Sequence, residues 1–266
     1  GDVNKALPNI PFVGEIPRLK KGDEQLIQEN DRSILAESFR ILRTNLQFLL
    51  FSNKKEQQET KSVFVTSTIK GEGKTMVAFN LALTIALTGK KVALVGADIR
   101  NPQLHRYLSK SDAKKKGLTE YIVDPSMTIE EITHVSTTHE NISIVLSGAI
   151  PPNPAELLLR DRTGAFFTKI KEKFDYVIVD TAPSLLVTDT ILINRWSDIT
   201  LYVVRAHYSD KKLLNFPKDA MQEGKLQNVA LVLNNVDMTN FGYGNKYGYV
   251  YRTDSPSFWQ RFFSKK

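Results

Sequence analysis

The chain has 266 residues, 41% of them hydrophobic and 24% charged, with a formal net charge of +7, which is the profile of a folded chain with a genuine core and not of a disordered one. It has no cysteine, so disulfides and cysteine-held zinc or iron–sulfur centres are excluded, and its four histidines lack ligand spacing, so any metal must be held by oxygen. The lysines are scattered, which suits an anionic membrane surface at least as well as a nucleic acid, and we expect no nucleic-acid partner.

No apolar run approaches the ~20 residues of a membrane helix. The opening "GDVNKALPNIPFVGEIP" is proline-rich and reads as an extended linker over residues 1–26, in a chain cut from something longer. From Ile27 to Leu50 the spacing predicts a helix, with Ile34, Leu35, Phe39, Leu42, Leu46 and Phe48 or Leu49 on its apolar side. The polar run "SNKKEQQETK" ends it. Short apolar runs then follow at 62–67, 92–97, 142–147, 176–180, 199–205 and 229–236, with a helix from about Lys74 to Thr88. Continuous β-branched runs separated by helices predict a doubly wound, mainly parallel α/β sheet buried on both faces.

The first of these strands runs into "TSTIKGEGKT" and the helix after it. Glycines let the backbone N–H groups curl inward ahead of a helix N-terminus, which makes a phosphate cradle. Lys70, Gly71, Glu72, Gly73, Lys74, Thr75 and Met76 would form it, with Lys74 on the β- and γ-phosphates of ATP and the Thr75 hydroxyl on Mg2+. Thr68 stands where the strict pattern asks for glycine, so the strand–loop–helix context carries the assignment. In "KFDYVIVDTAP", Asp180 ends a buried strand where a second magnesium-holding carboxylate belongs, and "VALVGADIR" sets Asp98 and Arg100 past a strand expected beside the first. Asp98 can ligate magnesium or serve as base toward a hydroxyl nucleophile. Asn234, in "LNNVD" at the end of the last strand, is expected near adenine.

These three motifs, at residues 66–75, 92–100 and 174–183, resemble the Walker A, A′ and B motifs of bacterial tyrosine kinases, the cytoplasmic domains of polysaccharide co-polymerases. The tyrosine-rich stretch "FGYGNKYGYVYR" adds to the likeness, as does the Glu37, Arg40, Arg43 spacing within "ESFRILRTNL". The resemblance implies a P-loop kinase domain over residues 27–238 and a tyrosine-cluster tail over 239–266. It implies autophosphorylation of Tyr243, Tyr247, Tyr249 and Tyr251 between subunits, and a ring joined through Glu37, Arg40 and Arg43. It also implies catalytic roles for Lys74, Asp98 and Arg100, a membrane-spanning region before residue 1, and a place on the cytoplasmic face of the bacterial inner membrane. The partners implied there are the export machinery for capsule or exopolysaccharide and a tyrosine phosphatase. The chain departs from the family where Gly96 replaces the first acid of the A′ pattern, and Ile69 stands where partition-type ATPases carry a signature lysine. A partition-type switch on DNA or membrane, and a scaffold that binds nucleotide without catalysis, remain the alternatives.

Overall fold

The computed structural model describes residues 7, 9–51, 61–112, 115–185 and 187–241. Its strands are β1 (Phe12–Pro17), β2 (Lys61–Ser67), β3 (Val92–Gly96), β4 (Thr133–Val135), β5 (Ile142–Val145), β6 (Tyr176–Asp180), β7 (Ile199–Arg205) and β8 (Val229–Val236). They form one sheet in the order β1-β8-β7-β2-β6-β3-β5-β4, parallel throughout except for the antiparallel β4–β5 edge pair. The helices are α1 (Ile34–Leu50), α2 (Lys74–Ala86), α3 (Leu118–Val123), α4 (Ile129–Ile132), α5 (Pro154–Leu158), α6 (Asp161–Lys171), α7 (Asp189–Asn194) and α8 (Asn215–Gln222). The expected doubly wound architecture is present.

The continuous apolar runs are explained by burial on both faces. Val63, Val65, Leu94 and Ile178 meet Phe39, Leu42 and Leu46 of α1 and Val77 and Leu81 of α2. Their strand neighbours Phe64, Val95, Val177 and Val179 point the other way, onto Tyr121, Phe166 and Phe167 of α3 and α6. Stacking of Phe167 on Trp196, with centroids 5.2 Å apart, extends this second layer.

Four expectations need correction. Residues 12–17, read as part of a linker, are the edge strand β1, parallel to β8, with Val13 and Ile16 buried against α1. Prolines on both sides suit an edge strand, where a missing N–H leaves no broken ladder. The apolar side of α1 continues through Leu50, while Phe48 is 72% exposed, because the run Phe48-Leu49-Leu50 crosses the helix face and only one of the three can face inward. α1 also starts later than expected, where the Ser33 hydroxyl caps it by accepting from the Ala36 amide at 3.1 Å. Finally, β3 does not lie beside β2: the crossover skips one position and β6 sits between them. Among the described residues no helix is long and apolar enough to cross a membrane.

Candidate active site

The register of the sheet brings the C-terminal ends of its central strands to one edge. Gly96 pairs with Asp180, Ser67 with Val203, and Arg205 with Asn234. At that edge the chain leaves β2, makes the loop 68–73 and enters α2 at Lys74. Gly71 and Gly73 have φ of +90° and +95°, in the left-handed region that favours glycine. A Cβ on Gly73 would lie 2.2 Å from the Asn234 side-chain nitrogen, and one on Gly71 would lie 2.8 Å from the Tyr208 hydroxyl.

The loop is braced from several strands. Asn234 donates to the Glu72 carbonyl at 2.9 Å, and Glu72 turns its buried carboxylate inward, accepting from the Ile69 amide at 2.9 Å and bonding the Ser209 hydroxyl. Tyr208 donates to the Lys70 carbonyl at 2.9 Å and Arg205 to the Gly71 carbonyl at 2.8 Å, with the Arg205 guanidinium 4.9 Å from the Tyr208 ring centre. Thr68, in place of the expected glycine, meets the Tyr202 hydroxyl at 2.7 Å. Burial in that position pushes the Tyr202 phenol well up, so it stays protonated.

Lys74 and Thr75 face the two acids. The Thr75 hydroxyl donates to Oδ2 of Asp180 at 2.7 Å, while Oδ1 of Asp180 is buried without a hydrogen-bond partner. Burial pushes the Asp180 carboxyl up to about 6, against the opposing pull of Lys74 and Thr75. A buried carboxylate oxygen without a partner is costly, and a cation beside it would satisfy it. Among the described residues no group of three or more acidic or histidine side chains converges to hold a metal by protein alone. One carboxylate and a threonine hydroxyl fit magnesium, which keeps waters and takes its other ligands from substrate phosphates.

Lys74 Nζ lies 3.6 Å from Oδ2 of Asp98, with the two side chains only 8% and 5% exposed. The other Asp98 oxygen accepts from the Arg100 and Asn101 amides at 3.2 and 2.9 Å, which fixes the carboxylate. β6 between β2 and β3 does not separate them. Arg100 makes a two-pronged ion pair with Asp189 at 2.7 and 3.0 Å. Gly96 sits where a Cβ would approach the Ser147 amide to 3.2 Å.

Of the residues expected here, Lys74, Thr75, Asp98 and Asp180 converge. Lys70, Gly71 and Gly73 shape the loop, Glu72 and Asn234 are tied into its brace, and Met76 packs back on Asn80, with 3.2 Å from its sulfur to the amide. Arg100 points to Asp189 and not to Lys74. Glu37, Arg40 and Arg43 lie on α1, where Arg40 pairs with Glu37 at 2.9 Å and Arg43 donates to the Thr84 carbonyl at 3.1 Å. Tyr243, Tyr247, Tyr249 and Tyr251 fall outside the described residues. Sequence reasoning missed Arg205, Tyr208 and Asp189. No periodicity marks them, and the turn just after β7 that carries Tyr208 back to the loop, with His207 at φ +59°, shows only in the fold.

A family model described as an AAA domain, AAA_31, matches residues 60–223. The tyrosine-protein kinase YwqD of Bacillus subtilis is 30% identical over 224 residues, covering 84% of this chain and 90% of its own length. The tyrosine-protein kinase wzc of Salmonella typhimurium is 29% identical over 255 residues, 94% of this chain and 34% of wzc. Against the longer relatives the chain spans about a third of their length. The solved kinase domain of Escherichia coli tyrosine kinase ETK superposes with a TM-score of 0.73 at 26% identity, covering 86% of this chain and 92% of that one.

Proposed function

The chain belongs to the bacterial tyrosine-protein kinases, and on that footing we propose that it transfers the γ-phosphoryl group of Mg-ATP to the tyrosines of its own C-terminal cluster, from one subunit to the next. The observation that carries this reading is the convergence of Lys74, Thr75, Asp98 and Asp180 at one sheet edge. A magnesium ion, when bound, would supply positive charge that offsets that of the phosphates. Thr75 and Asp180 would hold that cation, and Lys74 neutralises charge on the transferring group while the loop amides orient the phosphates. Asp98, fixed by two backbone amides, accepts the phenolic proton. A phenol of pKa ~10 gives that proton up more readily than an alkyl alcohol does.

The acceptors are Tyr243, Tyr247, Tyr249 and Tyr251, and the ring that presents them is joined through the Glu37, Arg40 and Arg43 face of α1. The protein works at the cytoplasmic face of the bacterial inner membrane, with a polysaccharide export machinery and a tyrosine phosphatase as partners. Successive phosphates of about −1.5 to −2 charges each repel one another and loosen the ring. Intact mass after incubation with Mg-ATP, followed by peptide mapping, tests the activity. Phosphotyrosine on the chain is expected. Free phosphate alone would make the chain an ATPase switch, and neither product would make it a scaffold.

A further inference from the structure

A cleft of about 460 Å³ opens from Asp98 and Asp180 toward a rim that carries His105, Lys115 and Lys116. All three rim side chains are exposed, and Lys115 pairs with Asp112 at 2.7 Å. The wall carboxylate Glu120 is held by the Gly117 and Ala149 amides at 2.8 and 2.9 Å, so its charge already has two donors. Gly96 also lines the cleft, next to Asp180 in the sheet register. Its lack of a side chain widens the floor and keeps a further negative charge out of it. The cleft thus has acids where a hydroxyl would be activated and cations where a second, anionic group would fit.

We infer that the His105, Lys115 and Lys116 rim is a phosphotyrosine subsite that holds an already phosphorylated tyrosine of the acceptor segment while the next tyrosine reaches Asp98. This rests on the kinase reading. The acceptor sequence supplies the spacing: Tyr247, Tyr249 and Tyr251 alternate, and in an extended chain alternate side chains share a face about 6.6 Å apart. A dianionic phosphate on one of them meets the rim cations through charge-assisted hydrogen bonds, and the neighbouring phenol points to the floor. Each transfer breaks the bond between the γ-phosphorus and its bridging oxygen, forms a bond from the phenolic oxygen to phosphorus, releases ADP and leaves the phenolic proton on Asp98. The first phosphate then improves binding of the same segment for the second.

The test is the binding of labelled peptides of residues 241–252, unmodified or phosphorylated at Tyr251, to the whole chain in Mg-ADP, read by fluorescence anisotropy. The primed peptide should bind about tenfold more tightly, the worth of one charge-assisted contact. In Lys115→Gln/Lys116→Gln the two affinities should converge. Equal affinities for the unaltered chain would overturn the subsite. So would the same gain in both proteins, which would mean general attraction to a chain of net charge +7. Binding needs no turnover, so phosphoryl transfer to the same peptides, measured separately with Mg-ATP, distinguishes failure of the subsite from failure of the kinase reading.

Discussion

The Arg100 guanidinium grips both oxygens of Asp189, joining the loop after β3 to the first turn of α7. Asp189 is 1% exposed, and the hydrogen bonds it accepts from Arg100 raise the arginine's already high pKa. This pair fixes the segment that also carries Asp98, so Arg100 is better described as a positioning residue than as a catalytic one. Arg100→Ala should leave a buried carboxylate without its partner and cost about 2 kcal/mol, a figure discounted because the guanidinium is 39% exposed. Asp189→Asn should cost less. Thermal unfolding checks both, and an Arg100→Ala chain that loses activity at unchanged Tm would return Arg100 to a direct role.

Lys74 lies nearly buried at the first position of α2 and faces Asp98. Lys74→Met should reduce phosphoryl transfer by roughly 10²–10³-fold, the usual worth of one preorganised charge in an active site. The fold should survive, because Asp98 keeps its two amide donors. Undiminished transfer would remove the loop from the active site.

Tyr208 and Arg205 hold two successive carbonyls of the phosphate loop. Tyr208→Phe removes one of those bonds and keeps the ring. Nucleotide affinity should fall by about fivefold, the worth of roughly 1 kcal/mol, with little change in unfolding temperature. Titration calorimetry with Mg-ADP reads this directly, and an unchanged Kd would mean that the loop holds its shape without the brace.

Burial pushes Asp180 up to about 6 from an ordinary 3.8. Between those values the folded chain keeps a proton that the unfolded chain has released. Stability from this group is therefore greatest on the acid side and falls as pH rises through about 6, by roughly 3 kcal/mol at most. Without nucleotide, Asp180→Asn should lose that part of the pH dependence in urea unfolding between pH 4 and 8, and it should bind Mg-ADP weakly. A variant with the same pH slope as its parent would rule out the Asp180 carboxyl as the source of that dependence.

The Glu37, Arg40 and Arg43 face of α1 is the proposed ring contact, but Arg43 also supports the Thr84 carbonyl and Arg40 the Asp31 carbonyl within one chain. Changing all three to alanine should convert an oligomer into a folded, slightly less stable monomer. Light scattering that gives one mass for parent and variant would count against this interface.

The parallel sheet, the phosphate loop and Asp180 were legible because each is written in contiguous sequence, as an apolar run or as glycines followed by Lys74 and Thr75. β1 was not, since Phe12–Pro17 is bounded by prolines and is ordered only by pairing with a strand more than two hundred residues away. Strand order was also hidden: nothing local says that β6 enters between β2 and β3. Asn234 was placed at the right edge, but its bond to the phosphate loop was not foreseen. Its role as a brace on Glu72 depends on how closely Gly73 lets it approach, and that distance cannot be read from either residue alone.

The most direct test of transfer between subunits is to mix a Lys74→Met chain, distinguishable by mass, with the active chain and Mg-ATP, and to map phosphotyrosine on each. Transfer between subunits predicts phosphate at Tyr243, Tyr247, Tyr249 and Tyr251 of the Lys74→Met chain, appearing only when the active chain is present. Phosphate confined to the active chain would contradict it, and a mixture that releases phosphate while neither chain gains mass would contradict the kinase itself.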